Sequence, residues 1–145
     1  MKIVCKRFEE LSLHELYAIL RARSEVFVME QNIVYQDMDE IDFRSTHLFI
    51  EEEGEIASYL RIIDAGVKYP EISIGRVLTL KPYRRKGYSR RLMEIALEMT
   101  RNQNLPVKIE AQSYLESFYH SLDFKSISPE FILEGIPHIE MLLNP

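Results

Sequence analysis

Val77-Leu78-Thr79-Leu80-Lys81-Pro82-Tyr83-Arg84-Arg85-Lys86-Gly87-Tyr88-Ser89-Arg90-Arg91-Leu92 runs from an apolar stretch through a basic turn into the start of a helix. Pro82 closes the apolar stretch, because proline has no donor for a sheet ladder. Beyond Gly87, Leu92, Ala96 and Met99 fall on one helical stripe with Met93 and Leu97 beside it, which predicts a helix to about Thr100. The first amides of a helix have no intrahelical partner and sit at the positive end of its dipole, so they form a ready anion site. Gly87 permits close approach of the backbone to a ligand, and Ser89 is small. Arg84, Arg85, Lys86, Arg90 and Arg91 add positive charge. This chemistry suits a pyrophosphate. The single glycine excludes both the G-x-x-x-x-G-K-[ST] loop and the G-x-G-x-x-G fingerprint.

Outward from this segment, strands and helices alternate. Lys2–Phe8 is a strand candidate. Ser12 and Glu15 form a capping box ahead of a helix expected to reach about Phe27. Val28–Arg44 reads as irregular and acidic. His47–Glu51 and Ile56–Ile63 flank Glu53-Gly54 and predict a hairpin. Ile72–Leu80 is a further strand, Val107–Glu110 another, and Ser113–Leu122 a short amphipathic helix. Phe131–Leu133 and His138–Leu143 close the chain as a hairpin through Gly135-Ile136-Pro137. Helices interleaved with strands in one chain of 145 residues predict a single α/β domain over residues 1–145 with a mixed sheet.

The net charge of −5 disfavours nucleic acid and anionic membranes as partners. Cys5 is the only cysteine, so no internal disulfide can form, and it reads as a small buried hydrophobe. No signal-peptide region and no membrane-length apolar run is present, which predicts a cytoplasmic protein. His14, His47 and His120 lack metal-ligand spacing, and no metal is expected.

Arg84-Arg85-Lys86-Gly87-Tyr88-Ser89, between an apolar strand and a helix, resembles the Arg/Gln-x-x-Gly-x-Gly/Ala coenzyme motif of the GNAT acetyltransferases, with Ser89 departing at the last position. Leu115–Phe124 resembles the second signature of that superfamily, A-x-x-F-Y-x-x-x-G-F, with Leu115 for Ala and Asp123 for Gly. Glu15-Leu16-Tyr17, Val26–Gln31, Tyr35–Asp39 and Gly135–Ile139 are similar to its ElaA-like branch, in the same order.

The resemblance implies the acyl-CoA N-acyltransferase fold, a mixed central sheet with splayed middle strands flanked by helices. It implies acetyl-CoA as co-substrate and transfer of the acetyl group to a primary amine of a small molecule or peptide. Backbone groups of Val77, Leu78 and Thr79 would pair with the pantetheine arm, the motif from Arg84 through Lys86, Gly87, Tyr88 and Ser89 to Arg90 would hold the pyrophosphate, and Gln112 would lie near the coenzyme. Tyr119 aligns with the general acid of many relatives, and a neutral phenol is a reasonable donor to a thiolate. His138 is the first candidate base and Glu110 the second. Asp37 and Asp39, in a stretch that also holds Glu40 and Asp42, could attract a cationic amine, the bland alternative being a solvated loop. A homodimer is compatible with the sequence.

Two other readings share these residues. One is a non-catalytic acyl-CoA-binding or regulatory module on the same fold. The other, a nucleic-acid-binding domain using Lys81–Arg91, is disfavoured by the acidic remainder and the lack of interleaved aromatics.

Overall fold

The computed structural model describes residues 1–145. It contains β1 (Lys2–Arg7), α1 (Leu13–Arg23), β2 (Ser45–Glu52), β3 (Glu55–Ile63), β4 (Ser73–Thr79), α2 (Tyr88–Asn102), β5 (Val107–Gln112), α3 (Glu116–His120), β6 (Lys125–Ser126), β7 (Phe131–Leu133) and β8 (Ile136–Leu143). β1 to β4 form an antiparallel sheet in chain order. β8 is the centre of a second antiparallel sheet, with β5 on one side and β6 and β7 on the other.

Local chemistry accounts for the boundaries. Glu15 N donates to Ser12 Oγ at 3.0 Å and Ser12 N donates to Glu15 Oε1 at 2.8 Å, so the expected capping box starts α1. Glu53 and Gly54 both take positive φ, 52° and 77°, as a two-residue hairpin loop requires. The closing hairpin turns at Glu134-Gly135, one step earlier than expected, leaving Ile136 and Pro137 inside β8.

The first sheet is covered on both faces. Leu48, Ile50, Leu60 and Ile62 point to α2 and pack with Leu92, Met93, Ala96 and Leu97. Phe49 and Tyr59, on the opposite pleat, face α1 through Ile19, Ala22 and Val26. Strand alternation therefore serves two helical layers.

Three expectations need correction. The first helix leaves α geometry at Arg23 and continues as a π-helix over Ser24–Glu30, so the chain thought irregular from Val28 is helical for three more residues. Ile41–Arg44 forms a 3-10 turn within the acidic stretch. Cys5 is exposed on edge strand β1: it shares the α2 face with Leu48, but α2 packs over β2, β3 and β4 and leaves the edge strand uncovered there.

The two sheets meet at one point. Ile72 and Val107 form a parallel bridge, and Lys108 N donates to Ile72 O at 2.8 Å. Beyond it, β4 and β5 diverge without a ladder. β4 is also bulged: Arg61 opposes Gly75 but Tyr59 opposes Leu78, so Arg76 and Val77 together face Leu60. A bulge bends and twists its strand, here at the place where β4 has left β5.

Candidate active site

A cavity of about 770 Å³ occupies the split between β4 and β5. Val77, Leu78, Thr79, Arg84, Arg85, Gly87, Ser89, Arg90, Gln112, Tyr119 and His138 all line it. Lys86, Tyr88, Asp37 and Asp39 do not. Lys86 lies over the Tyr83 ring at 5.5 Å, and Tyr88 packs against the core.

The basic turn leads into α2 through Gly87, which caps the helix at φ 77° without any side-chain hydrogen bond. Arg85 is also left-handed, at φ 67°. Arg84 N donates to Lys81 O and Arg91 N to Gly87 O, but the six amides between them, Arg85 to Arg90, have no acceptor within the protein. Six consecutive free donors at a helix N-terminus form a concave site for an anion with several oxygens.

Three side chains of the motif are already engaged. Arg84 turns back, donating from Nε to Thr79 O at 2.8 Å and from Nη2 to Glu30 Oε2 at 2.7 Å. Arg90 covers the Phe118 ring at 5.3 Å and donates to Ser121 Oγ at 2.5 Å. Ser89 joins a chain with one direction. A carbonyl only accepts, so Ser58 Oγ donates to Leu78 O (2.8 Å), Thr79 Oγ1 donates to Ser58 Oγ (2.9 Å), and Ser89 Oγ donates to Thr79 Oγ1 (2.7 Å). The serine that departs from the motif thus ties α2 to β4.

Leu80 N donates to Ala57 O on β3. By the two-residue period of a strand, Leu78 also directs its backbone to β3, while Val77 and Thr79 direct theirs to the cleft. Of the three residues expected to offer backbone to a coenzyme, Leu78 is therefore turned the wrong way; its carbonyl already accepts from Ser58.

Tyr119 is 6% exposed and stacks edge-on against Phe118 and Phe124. Its hydroxyl makes no protein hydrogen bond, and the residue lines the cavity. Burial pushes its pKa up, so the phenol is protonated across the neutral range. His138 stacks on Phe131, with ring centroids 6.0 Å apart. Its Nδ1 lies 2.7 Å from Ile136 O; since that oxygen only accepts, Nδ1 is the donor, and Nε2, without a protein partner, is the nitrogen placed to accept a proton. Glu110 accepts from the Tyr69 hydroxyl and pairs with Lys68 Nζ at 3.4 Å, so the second candidate base is already committed.

Glu30 and Gln31 also line the cavity, and sequence reasoning gave them no role. Gln31 Nε2 donates to Gln112 Oε1 at 3.3 Å. With the Glu30–Arg84 pair, the end of the π-helix thereby spans both walls of the split.

The acidic stretch is an ion-pair network. Arg23 and Arg61, 0% and 1% exposed, meet Asp42 Oδ1 at 2.6 and 3.0 Å. Arg61 also pairs with Asp39 (2.6 Å), and Asp37 lies between Arg23 (3.0 Å) and Arg76 (2.7 Å). Burial alone would raise the Asp39 pKa; the Arg61 hydrogen bond and charge outweigh it and hold it at about 2. Asp37 and Asp39 are thus not free to draw an amine, as three guanidinium groups already pair with the three aspartates of the loop. His47 lies beneath, with Nε2 donating to Asp42 O (3.0 Å) and Nδ1 accepting from Tyr59 (2.7 Å). Its burial lowers its pKa.

A sheet split at one bridge, with free helix-terminal amides facing the split, defines the acyl-CoA N-acyltransferase fold. Comparison with known proteins agrees. The family model described as "Acetyltransferase (GNAT) domain" matches residues 12–144. A UPF0039 protein of Schizosaccharomyces pombe is 36% identical, covering 99% of this chain and 97% of its own. The crystal structure of an acyl-CoA N-acyltransferase from Pseudomonas aeruginosa superposes with TM-score 0.92 at 34% identity, over 98% of this chain and 99% of that one. Escherichia coli ElaA superposes with TM-score 0.90 at 32% identity, over 97% of each chain. The chain belongs to the GNAT acetyltransferase family, with ElaA among its homologues.

Proposed function

We propose that the protein transfers the acetyl group of acetyl-CoA to a primary amine of a small molecule or peptide. The observation that carries this reading is the run of unpaired amides from Arg85 to Arg90 at the mouth of a cleft that ends beside Tyr119. The residues fit the coenzyme in kind: backbone donors for a pyrophosphate, Val77 and Thr79 backbone for an extended amide-bearing arm, and apolar walls beyond.

Bound there, acetyl-CoA supplies the thioester. Transfer breaks its C–S bond and makes a C–N bond; the amine gives up one proton and the departing sulfur takes one. Tyr119 gives its hydroxyl proton to sulfur, and His138 Nε2 takes the amine proton directly or through water. The phenolate and imidazolium left behind cancel in charge and reset through solvent. The buried, protonated phenol and the unpartnered Nε2 support these two roles.

The test is release of free thiol from acetyl-CoA in the presence of pooled amines, with mass spectrometry of the products. Amine-dependent release with a product 42 Da heavier is the expected result, about 42 Da being the mass of an acetyl group replacing hydrogen. Binding of the coenzyme without turnover across all pools would favour the non-catalytic module instead.

A further inference from the structure

The bulge in β4 rests on a strained residue. Arg76 stands at φ 51°, a conformation that opposes any side chain with a Cβ. Its guanidinium holds it there: Nε donates to Asp37 Oδ1 at 2.7 Å and Nη2 to the Asp37 carbonyl at 3.0 Å. Asp37 is 7% exposed, and its other carboxylate oxygen accepts from Arg23 Nε at 3.0 Å. Arg23 is wholly buried and is itself held by Asp42. The grip on Arg76 is therefore anchored in the core.

The bulge matters because a strand has period two. Without the extra residue Val77 would oppose Tyr59, and every residue beyond would exchange faces. Leu78 would then direct its backbone to the cleft and Thr79 would turn away. The hydroxyl chain from Ser89 to Thr79 and Ser58 would break with it.

We infer that Asp37 is a positioning residue for the coenzyme slot: by clamping Arg76 it holds the bulge that turns Val77 and Thr79 toward the cleft. This rests on the cleft being the acyl-CoA site, and it gives Asp37 a role in place of amine recruitment. Loss of the clamp lets the free chain populate a regular strand. Coenzyme then binds only the bulged fraction, and its apparent Kd rises by the reciprocal of that fraction.

Two measurements on the full chain test this. Calorimetry with coenzyme A compares wild type with Arg76→Val, Arg76→Gly, Asp37→Asn and the double variant Asp37→Asn with Arg76→Gly. Glycine takes positive φ without strain and so replaces the clamp. Arg76→Val and Asp37→Asn should each weaken binding about tenfold, the scale of the left-handed penalty. Arg76→Gly should stay within about threefold of wild type, and the double variant should recover to that level. Equal weakening in Arg76→Gly and Arg76→Val, or no recovery in the double variant, overturns the inference. Amide hydrogen exchange reads the bulge without coenzyme. The wild type should protect the Leu78 amide and leave Val77 and Thr79 open, and Arg76→Val should reverse that order. An unchanged order in Arg76→Val overturns the clamp; absence of coenzyme binding to wild type overturns only the reading of the cleft.

Discussion

Replacement of Gly87 by valine separates backbone strain from ligand contact. Gly87 caps α2 at φ 77°, and a Cβ built there meets nothing within 4 Å. Any cost to the free protein is therefore conformational and not steric. The left-handed region costs a residue with a Cβ about 1–2 kcal/mol, with β-branched side chains at the upper end. A chain of 145 residues has an unfolding entropy of about 0.3 kcal/mol/K, so Tm should fall by roughly 3–6 °C. Relief of that strain would rotate the peptides on either side, which carry free amides of the run. Coenzyme A affinity should then fall about tenfold, the same penalty expressed as binding. Asparagine tolerates left-handed φ, so Gly87→Asn should stay within about 0.5 kcal/mol of wild type. Differential scanning calorimetry and isothermal titration read both quantities. An unchanged Tm together with unchanged coenzyme affinity in Gly87→Val would refute the argument.

Other consequences follow from the same geometry. Tyr119→Phe keeps the buried ring and should lower kcat by ~10²-fold while leaving coenzyme affinity intact; a rate within about twofold of wild type would reduce Tyr119 to packing. Arg23→Met removes a buried cation while Asp37 keeps Arg76 and Asp42 keeps Arg61, so the cost should be about 3 kcal/mol and roughly 10 °C in Tm; a Tm at or above that of wild type would contradict it. Stability should decline in two stages on acidification. The His47 pKa is lowered by folding, so its contribution is complete above the unfolded value of 6.5 and is lost as pH falls from there toward the lowered native value. The contribution of Asp39 is complete above 3.8 and is lost as pH falls toward about 2. Urea midpoints that stay flat from pH 7 to pH 5 would sink the first stage.

Local signals in the sequence predict the elements that local chemistry controls. The Ser12–Glu15 box, the Glu53-Gly54 hairpin and the helix opening at Gly87 are each set by a few adjacent residues, and each forms as expected. Features that depend on distant partners were hidden. The carboxylates of the acidic stretch looked free because Arg61 and Arg76 stand 22 and 39 residues away from Asp39 and Asp37. One sign was available. Arginine inside the apolar runs Ile56–Ile63 and Ile72–Leu80 falls at positions where a charge survives only when paired. The bulge had no such sign, since a left-handed strand residue is usually glycine and here it is Arg76, held by tertiary contacts. The π-helical end of α1 was likewise invisible to a periodicity that assumes 3.6 residues per turn.

The most direct test of the coenzyme cleft is the amide nitrogen–proton spectrum of the protein titrated with coenzyme A. The largest shifts should come from Arg85 to Arg90, with Val77 and Thr79 following and Leu78 less affected. A second concavity of about 500 Å³ lies on the other face of the first sheet, lined by Leu13, Tyr17 and Leu80. Shifts confined to that groove, or none at saturating coenzyme A, would contradict the account.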